Sequence, residues 1–184
     1  MKNYFSILII AISIGSLAFV TKKNADTLIS VKSCEINLKG TSPITDVAAV
    51  SKIMIGVINL TSNQFVFKIK MNTFQFENKS MQEHFNEKYL ETEKYKYGSF
   101  SGTMDKTIDL SKNCTSNTNI TGTLDIHGVK KVRIIPVSIK VENKKVCITS
   151  TFNVNLKDHN IEVPSLVFAK IGEDIKVDMV ANFE

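Results

Sequence analysis

The chain has 184 residues, of which 43% are hydrophobic, so it is long enough for one domain with a sizeable core. Its 23 lysines and arginines outnumber 18 aspartates and glutamates, but they are scattered, and most alternate with apolar residues. Nucleic-acid binding requires a clustered basic surface, which is absent here. The charge therefore excludes a nucleic-acid partner and predicts only a transient attraction to anionic membrane surfaces.

The N-terminus has the pattern of a secretory signal peptide. Lys2 precedes an apolar run over residues 7–20 that is too short and too weakly flanked for a membrane span. Ser16 and Ala18 supply the small residues of a cleavage site after Ala18. We therefore expect residues 1–18 to be removed, residues 19–184 to form a single domain, and the protein to be periplasmic or secreted. An uncleaved N-terminal anchor is the alternative.

Strand patterns dominate the rest of the chain. Residues 64–71 alternate cleanly between apolar and other side chains, as in a half-buried strand. The same alternation, or a shorter apolar run, predicts strands over 33–39, 53–59, 99–108, 120–126, 132–141, 146–154 and 175–183. About eight antiparallel strands with one apolar face form a sandwich or a barrel, and such a barrel either fills its interior or holds one small ligand.

A helical segment near residues 81–90 interrupts these strands. Ser80 and Glu83 have the spacing of a capping box, which predicts a helix that begins at Met81. Helical periodicity places three residues on one apolar face, with His84 beside them: Met81, Phe85 and Tyr89. Gln82 falls on the other face and is expected to point to water. The segment is therefore predicted to pack on an apolar surface.

The chain has three cysteines: Cys34, Cys114 and Cys147. At most one disulfide can form among them, with three possible pairings, and one thiol is then left over. None belongs to a CxxC pair, so a zinc knuckle or a thioredoxin-like site is not indicated. Cys147 stands in a strand-like run and is expected to be a buried small apolar residue.

Sequence patterns of catalysis are absent. The chain has no nucleophile elbow, metalloprotease helix or other nucleophile-base spacing. His84 and His127 lack a third metal ligand at a recognised spacing. We therefore expect neither an enzyme nor a metal site.

Two motifs resemble those of the YceI-like family. The first is MQEHFN at 81–86, followed by Tyr89, by the pair KY at 94–95 and by the strand SFSG at 99–102. The second is ITGTLDIHGVKK at 120–131, with FNVNLKD at 152–158 fitting the closing hairpins. The resemblance covers residues 65–183 approximately, with both motifs in the order and separation of the family.

This resemblance implies a lipocalin-like antiparallel β-barrel in the bacterial periplasm whose apolar interior holds an isoprenoid chain, such as a polyprenyl lipid or a quinone tail. Such a chain exposes a large apolar area to water, and its burial at about 25 cal/mol per Å² favours binding without any hydrogen bond. The implied role is non-catalytic, with the lipid as the only bound group. The alternative is a structural or interaction module of the cell envelope with the same barrel, a filled core and no ligand.

The resemblance and the alternation together nominate binding residues. The candidates for contact with the lipid chain are apolar or aromatic: Phe65, Phe67, Ile69, Met71, Phe74, Phe76, Phe85, Tyr89 and Phe100. His84 and His127 are the candidates for contact with a polar head group at the mouth of the barrel. The alternative for His127 is a hydrogen bond to backbone groups at its turn.

Overall fold

The computed structural model describes residues 27–40, 47–162 and 172–184, and the predicted signal peptide lies outside them. The strands are β1 Leu28–Gly40, β2 Val47–Ser51, β3 Met54–Asn59, β4 Gln64–Lys70, β5 Gln75–Phe76, β6 Tyr97–Met104, β7 Cys114–Ile126, β8 Val129–Glu142, β9 Lys145–Asn155 and β10 Asp174–Phe183. The α-helix α1, Lys79–His84, continues in a π-helical turn, Phe85–Tyr89.

Eight of the strands close into an antiparallel barrel in the order β1-β3-β4-β6-β7-β8-β9-β10. Closure comes from the pairing of β10 with β1, which runs from Gly40 opposite Ile175 to Val31 opposite Phe183. The short strands β2 and β3 lie end to end along the other edge of β1, and β5 pairs with β2. The prediction of an eight-stranded barrel with a short helical insertion is confirmed, whereas β2 and β5 were not predicted.

A β-bulge in β1 explains how this strand keeps one apolar face. The register against β10 shifts between Val31 and Ser33, so the inward positions change from odd to even numbers. Ile29 faces the core before the bulge, and Cys34 and Ile36 face it afterwards.

The two ends of the barrel differ. At the end where β1 begins and β10 finishes, large side chains fill the interior, and Ile58, Val146 and Phe183 are almost completely buried. The rings of Phe65 and Phe67 stack 5.0 Å apart at the inner limit of this packed region. The helical insertion lies at the opposite end.

One seam interrupts the backbone pairing of the barrel wall. β8 and β9 pair only from Val137 to Glu142, because the preceding residue, Pro136, has no N–H to donate. Side chains bridge the rest of the seam: Ser150 Oγ donates to the Pro136 carbonyl at 2.7 Å, and Arg133 donates to the Asn153 carbonyl at 2.7 Å.

The helix begins two residues earlier than predicted. Asn78 is its N-cap, and the side-chain oxygen accepts hydrogen bonds from the amides of Ser80 and Met81. The predicted capping box of Ser80 and Glu83 is therefore wrong, because an asparagine two residues upstream takes the cap position and draws Ser80 into the first turn.

All three cysteines are free. Cys34 faces the core, and burial raises the pKa of its thiol, partly offset by a hydrogen bond with the backbone of Met54. Cys114 is exposed. Cys147 is only half-buried, because it occupies an outward position of β9, so the prediction that it is a core residue is wrong.

Candidate functional site

A cavity of about 230 Å³ occupies the end of the barrel that carries the helical insertion. Eight of the nine residues predicted to contact a lipid chain line it: Phe67, Ile69, Met71, Phe74, Phe76, Phe85, Tyr89 and Phe100. The barrel strands and the insertion thus bring together apolar side chains that span 34 positions of the sequence.

Phe65 is the exception. It points into the barrel but is only 2% exposed, and its ring lies 5.0 Å from those of both Phe67 and Phe100. It therefore packs beneath the cavity and supports the two rings that form the floor. Phe65 does not line the wall, because the filled end of the barrel begins at this residue.

The opposite wall comes from strands that sequence reasoning did not assign to the site. β9 and β10 contribute Phe152, Val154, Ile175, Val177 and Met179. Their alternation identified both strands, so the signal was present in the sequence. It was missed because these residues follow the aromatic cluster by more than fifty positions and reach it only through barrel closure.

The helical insertion covers the cavity as a lid, defined here as residues 71–96. Phe85 packs against Phe76 and Phe74, with ring centroids 4.9 and 5.9 Å away. Gln82 fastens the lid, because its side chain donates to the Phe74 carbonyl at 2.9 Å and accepts from the Phe76 amide at 3.1 Å. The prediction that Gln82 points to water is wrong, since these backbone groups would otherwise lack partners in a half-buried position.

The two candidate head-group residues lie in different places. His84, at the end of α1, lines the cavity, so contact with a ligand stays a prediction for this residue. His127 lies outside it in the β7–β8 turn, where Nε2 is 2.9 Å from Glu91 Oε2 and Nδ1 is 3.2 Å from the His159 carbonyl oxygen. Its predicted head-group role is therefore not supported, because both ring nitrogens already have partners.

His127 instead joins three segments. Its partner Glu91 and the ring of Tyr95, whose centroid lies 4.1 Å away, belong to the lid, whereas His159 belongs to the turn after β9. His159 is fully buried and its Nδ1 lies 3.1 Å from the Val129 carbonyl oxygen, beside the unpaired part of β8. These contacts hold the lid and the seam to the β7–β8 turn.

The electrostatics of the cavity favour a neutral ligand. Burial raises the pKa of Tyr89, so this phenol stays protonated at neutral pH. Lys68 lies at the edge of the cavity. Its ammonium group is outside the cavity, 4.1 Å from the centre of the Tyr97 ring. A buried charge in such apolar surroundings would be costly without a partner.

The arrangement can enclose an apolar chain of limited length. A buried water needs about 10 to 15 Å³ of such space, so the cavity has room for roughly 15–23 water-sized groups, or on the order of four isoprene units. Among the described residues, no three histidine, cysteine or carboxylate side chains are placed to hold a metal ion. No helix in the described ranges is long and apolar enough to cross a membrane.

In a comparison with protein families, the model of the YceI-like domain matches residues 22–183. No curated protein matches the sequence.

Solved structures share the fold at low sequence identity. A polyisoprenoid-binding domain from Saccharophagus degradans, implicated in plant cell wall breakdown, has a TM-score of 0.73 and 15% identity, over 85% of this chain and 97% of its own. BcnA of Burkholderia cenocepacia has a TM-score of 0.67 and 10% identity, over 81% and 95%. The YCEI protein of Campylobacter jejuni has a TM-score of 0.52 and 18% identity, over 100% and 99%.

Proposed function

Since the chain belongs to the YceI-like domain family, we propose that it binds one polyisoprenoid or similar lipid chain in the barrel cavity, without catalysis. The observation that carries the proposal is a covered cavity of about 230 Å³ whose wall is almost entirely apolar. The polyisoprenoid-binding domain of Saccharophagus degradans, which shares the fold, supports the choice of ligand.

The driving force is apolar burial. Each methylene group moved from water into the cavity contributes about 0.8 kcal/mol, and the wall needs no hydrogen bond from a hydrocarbon chain. The head group, whether the ring of a quinone or the end of a polyprenyl lipid, would lie near His84. The expected secretory signal makes the periplasm the proposed place of binding. The hollow end of the barrel does not favour the alternative of an envelope module with a filled core.

Two experiments test this function. Organic extraction of the purified protein followed by mass spectrometry should recover an isoprenoid lipid. Titration with isoprenoid alcohols of increasing length should then give a Kd that falls up to about four isoprene units and changes little beyond, because the cavity has no further room.

Recovery of empty protein that also fails to bind any of these alcohols would support the envelope module instead. His84→Ala is the variant for the head group. It should weaken binding of an intact quinone and leave binding of a bare polyprenyl chain unchanged, and equal effects on both would remove the head-group role.

A further inference from the structure

The strand β3 is apolar on both faces, and its neighbour β4 carries one exposed apolar side chain, Val66. β3, β4 and β6 line the cavity on the inside through Met54, Ile69 and Phe100. On the outside, Ile55 is 65% exposed and Val66 is 51% exposed. Strands with two apolar faces are usually covered on both, so the outer face of this part of the wall is suited to contact with something else.

The exposed side chains form one continuous surface, which we call the outer patch: Ile53, Ile55, Val57, Val66 and Tyr97. Val57 and Val66 are direct cross-strand partners, and Ile55 is opposite Lys68. The ammonium group of Lys68 lies 4.1 Å above the ring of Tyr97, which connects the aliphatic side chains to the aromatic one.

The charge around the outer patch is mainly positive. At one margin Glu35 is paired with Lys52 at 3.6 Å, and at the other Asp125 of β7 lies opposite Ser99. The outward positions of β3, β4 and β6 carry two lysines and no carboxylate: Ile55, Val57, Asn59, Gln64, Val66, Lys68, Lys70, Tyr97, Ser99, Ser101 and Thr103. No ion pair within the described ranges involves Lys68 or Lys70. Both positive charges are therefore available to an external anion.

We propose that the outer patch docks the barrel on the surface of an anionic lipid bilayer. Aliphatic side chains would enter the boundary between head groups and acyl chains, a tyrosine would lie at the head-group level, and the lysines would contact lipid phosphates. The proposal builds on the proposed lipid binding, since it brings the cavity wall to the membrane from which a lipid would come. Its test does not require a ligand in the cavity.

A second exposed apolar pair offers a matched control. Val132 and Ile134, on the outside of β8, are 75% and 66% exposed. They lie outside the outer patch, because β7 separates β8 from β6 in the barrel wall. Substitution of this pair removes a similar exposed apolar area outside the outer patch, so it should not change vesicle binding if the outer patch is the docking surface.

The experiment is flotation of the full mature protein with vesicles of phosphatidylcholine containing 30% phosphatidylglycerol, compared with phosphatidylcholine alone. We expect binding to the anionic vesicles that weakens at high salt. Ile55→Asn with Val66→Asn should reduce the binding at least tenfold. Lys68→Gln with Lys70→Gln should reduce it about 25-fold, since each basic side chain near such a surface accounts for about fivefold. Val132→Asn with Ile134→Asn should leave it unchanged.

The proposal is overturned if the wild-type protein stays with the unbound fraction, or if the control pair lowers binding as much as the outer patch does. Sedimentation velocity tests a second copy of the chain as the occupant. A dimer that the Ile55 and Val66 substitutions dissociate, with vesicle binding intact, would also overturn the proposal. The Ile55 and Val66 double variant should bind an isoprenoid alcohol with an unchanged Kd. This result would show that the variant has lost docking and has kept its fold and its cavity binding.

Discussion

Ala49→Phe should close part of the cavity and so separate ligand binding from stability. Ala49 lines the cavity and is buried on β2, between Leu38 of β1 and Phe76 of β5. Its small side chain leaves the space in front of it open. A phenylalanine there would project into the cavity that the ligand is proposed to fill.

The magnitude follows from the size of the cavity. Phenylalanine adds roughly six carbon atoms, which is about a third of the room available. Excluding that many carbons from burial would cost up to about 5 kcal/mol at about 0.8 kcal/mol each. Part of the chain can shift towards the mouth, so we expect about half of this loss, or a Kd about 60-fold higher. The ring enters empty space and buries apolar area, so Tm should be unchanged or higher.

The assay is titration of a polyprenyl alcohol of four isoprene units, with thermal unfolding measured on the same samples. Ala48→Phe is the matched control, because the neighbouring Ala48 is exposed and lies opposite Lys39 on the outer side of the same strand. An Ala49→Phe protein that keeps its Tm and binds the alcohol as tightly as the wild type would refute the assignment of the cavity as the lipid site.

Two further predictions concern stability. Asn78→Ala should lower the free energy of unfolding by about 1 kcal/mol in urea titrations, whereas Ser80→Ala should have almost no effect; equal effects would contradict the assigned helix cap. Burial lowers the pKa of His159 from its usual 6.5, so below that pH the unfolded chain takes up a proton that the folded protein does not. Stability should fall as the pH decreases below about 7, with a contribution from this histidine of at most about 1.4 kcal/mol per pH unit. His159→Asn should flatten the slope, and the same slope in both proteins would show that another group causes it.

Local sequence patterns were sufficient to predict the strands and most of the aromatic wall. Alternation fixes which side of a strand faces inward, so the pattern of β4 alone was enough to assign Phe67 and Ile69 to the interior. The cap of the helix could not be predicted as securely, because Asn78 and Ser80 are both good capping residues and only two positions apart. The choice between them depends on where the lid meets β5.

The contacts of His127 were out of reach of local patterns for a different reason. Its partners Glu91 and His159 are 36 and 32 residues away, and they meet only because the lid and the turn after β9 converge on one end of the barrel. The seam between β8 and β9 could not be predicted for the same reason. Pro136 indicates that one backbone hydrogen bond is missing, but the strand that would have accepted it depends on the order of the strands in the barrel.

The cavity owes its existence to small side chains as much as to the aromatic ones that first attract attention. Where Phe65, Ile58 and Phe183 point inward, the barrel is filled. Where Ala49 lines the wall, space remains, and Gly98 makes room for the sulfur of Met71, which would lie only 3.0 Å from a Cβ at this position. An eight-stranded barrel has a nearly constant width, so the size of the inward side chains decides which length of it can hold a ligand. The aromatic rings then set the floor and the lid, and the small residues set the room between them.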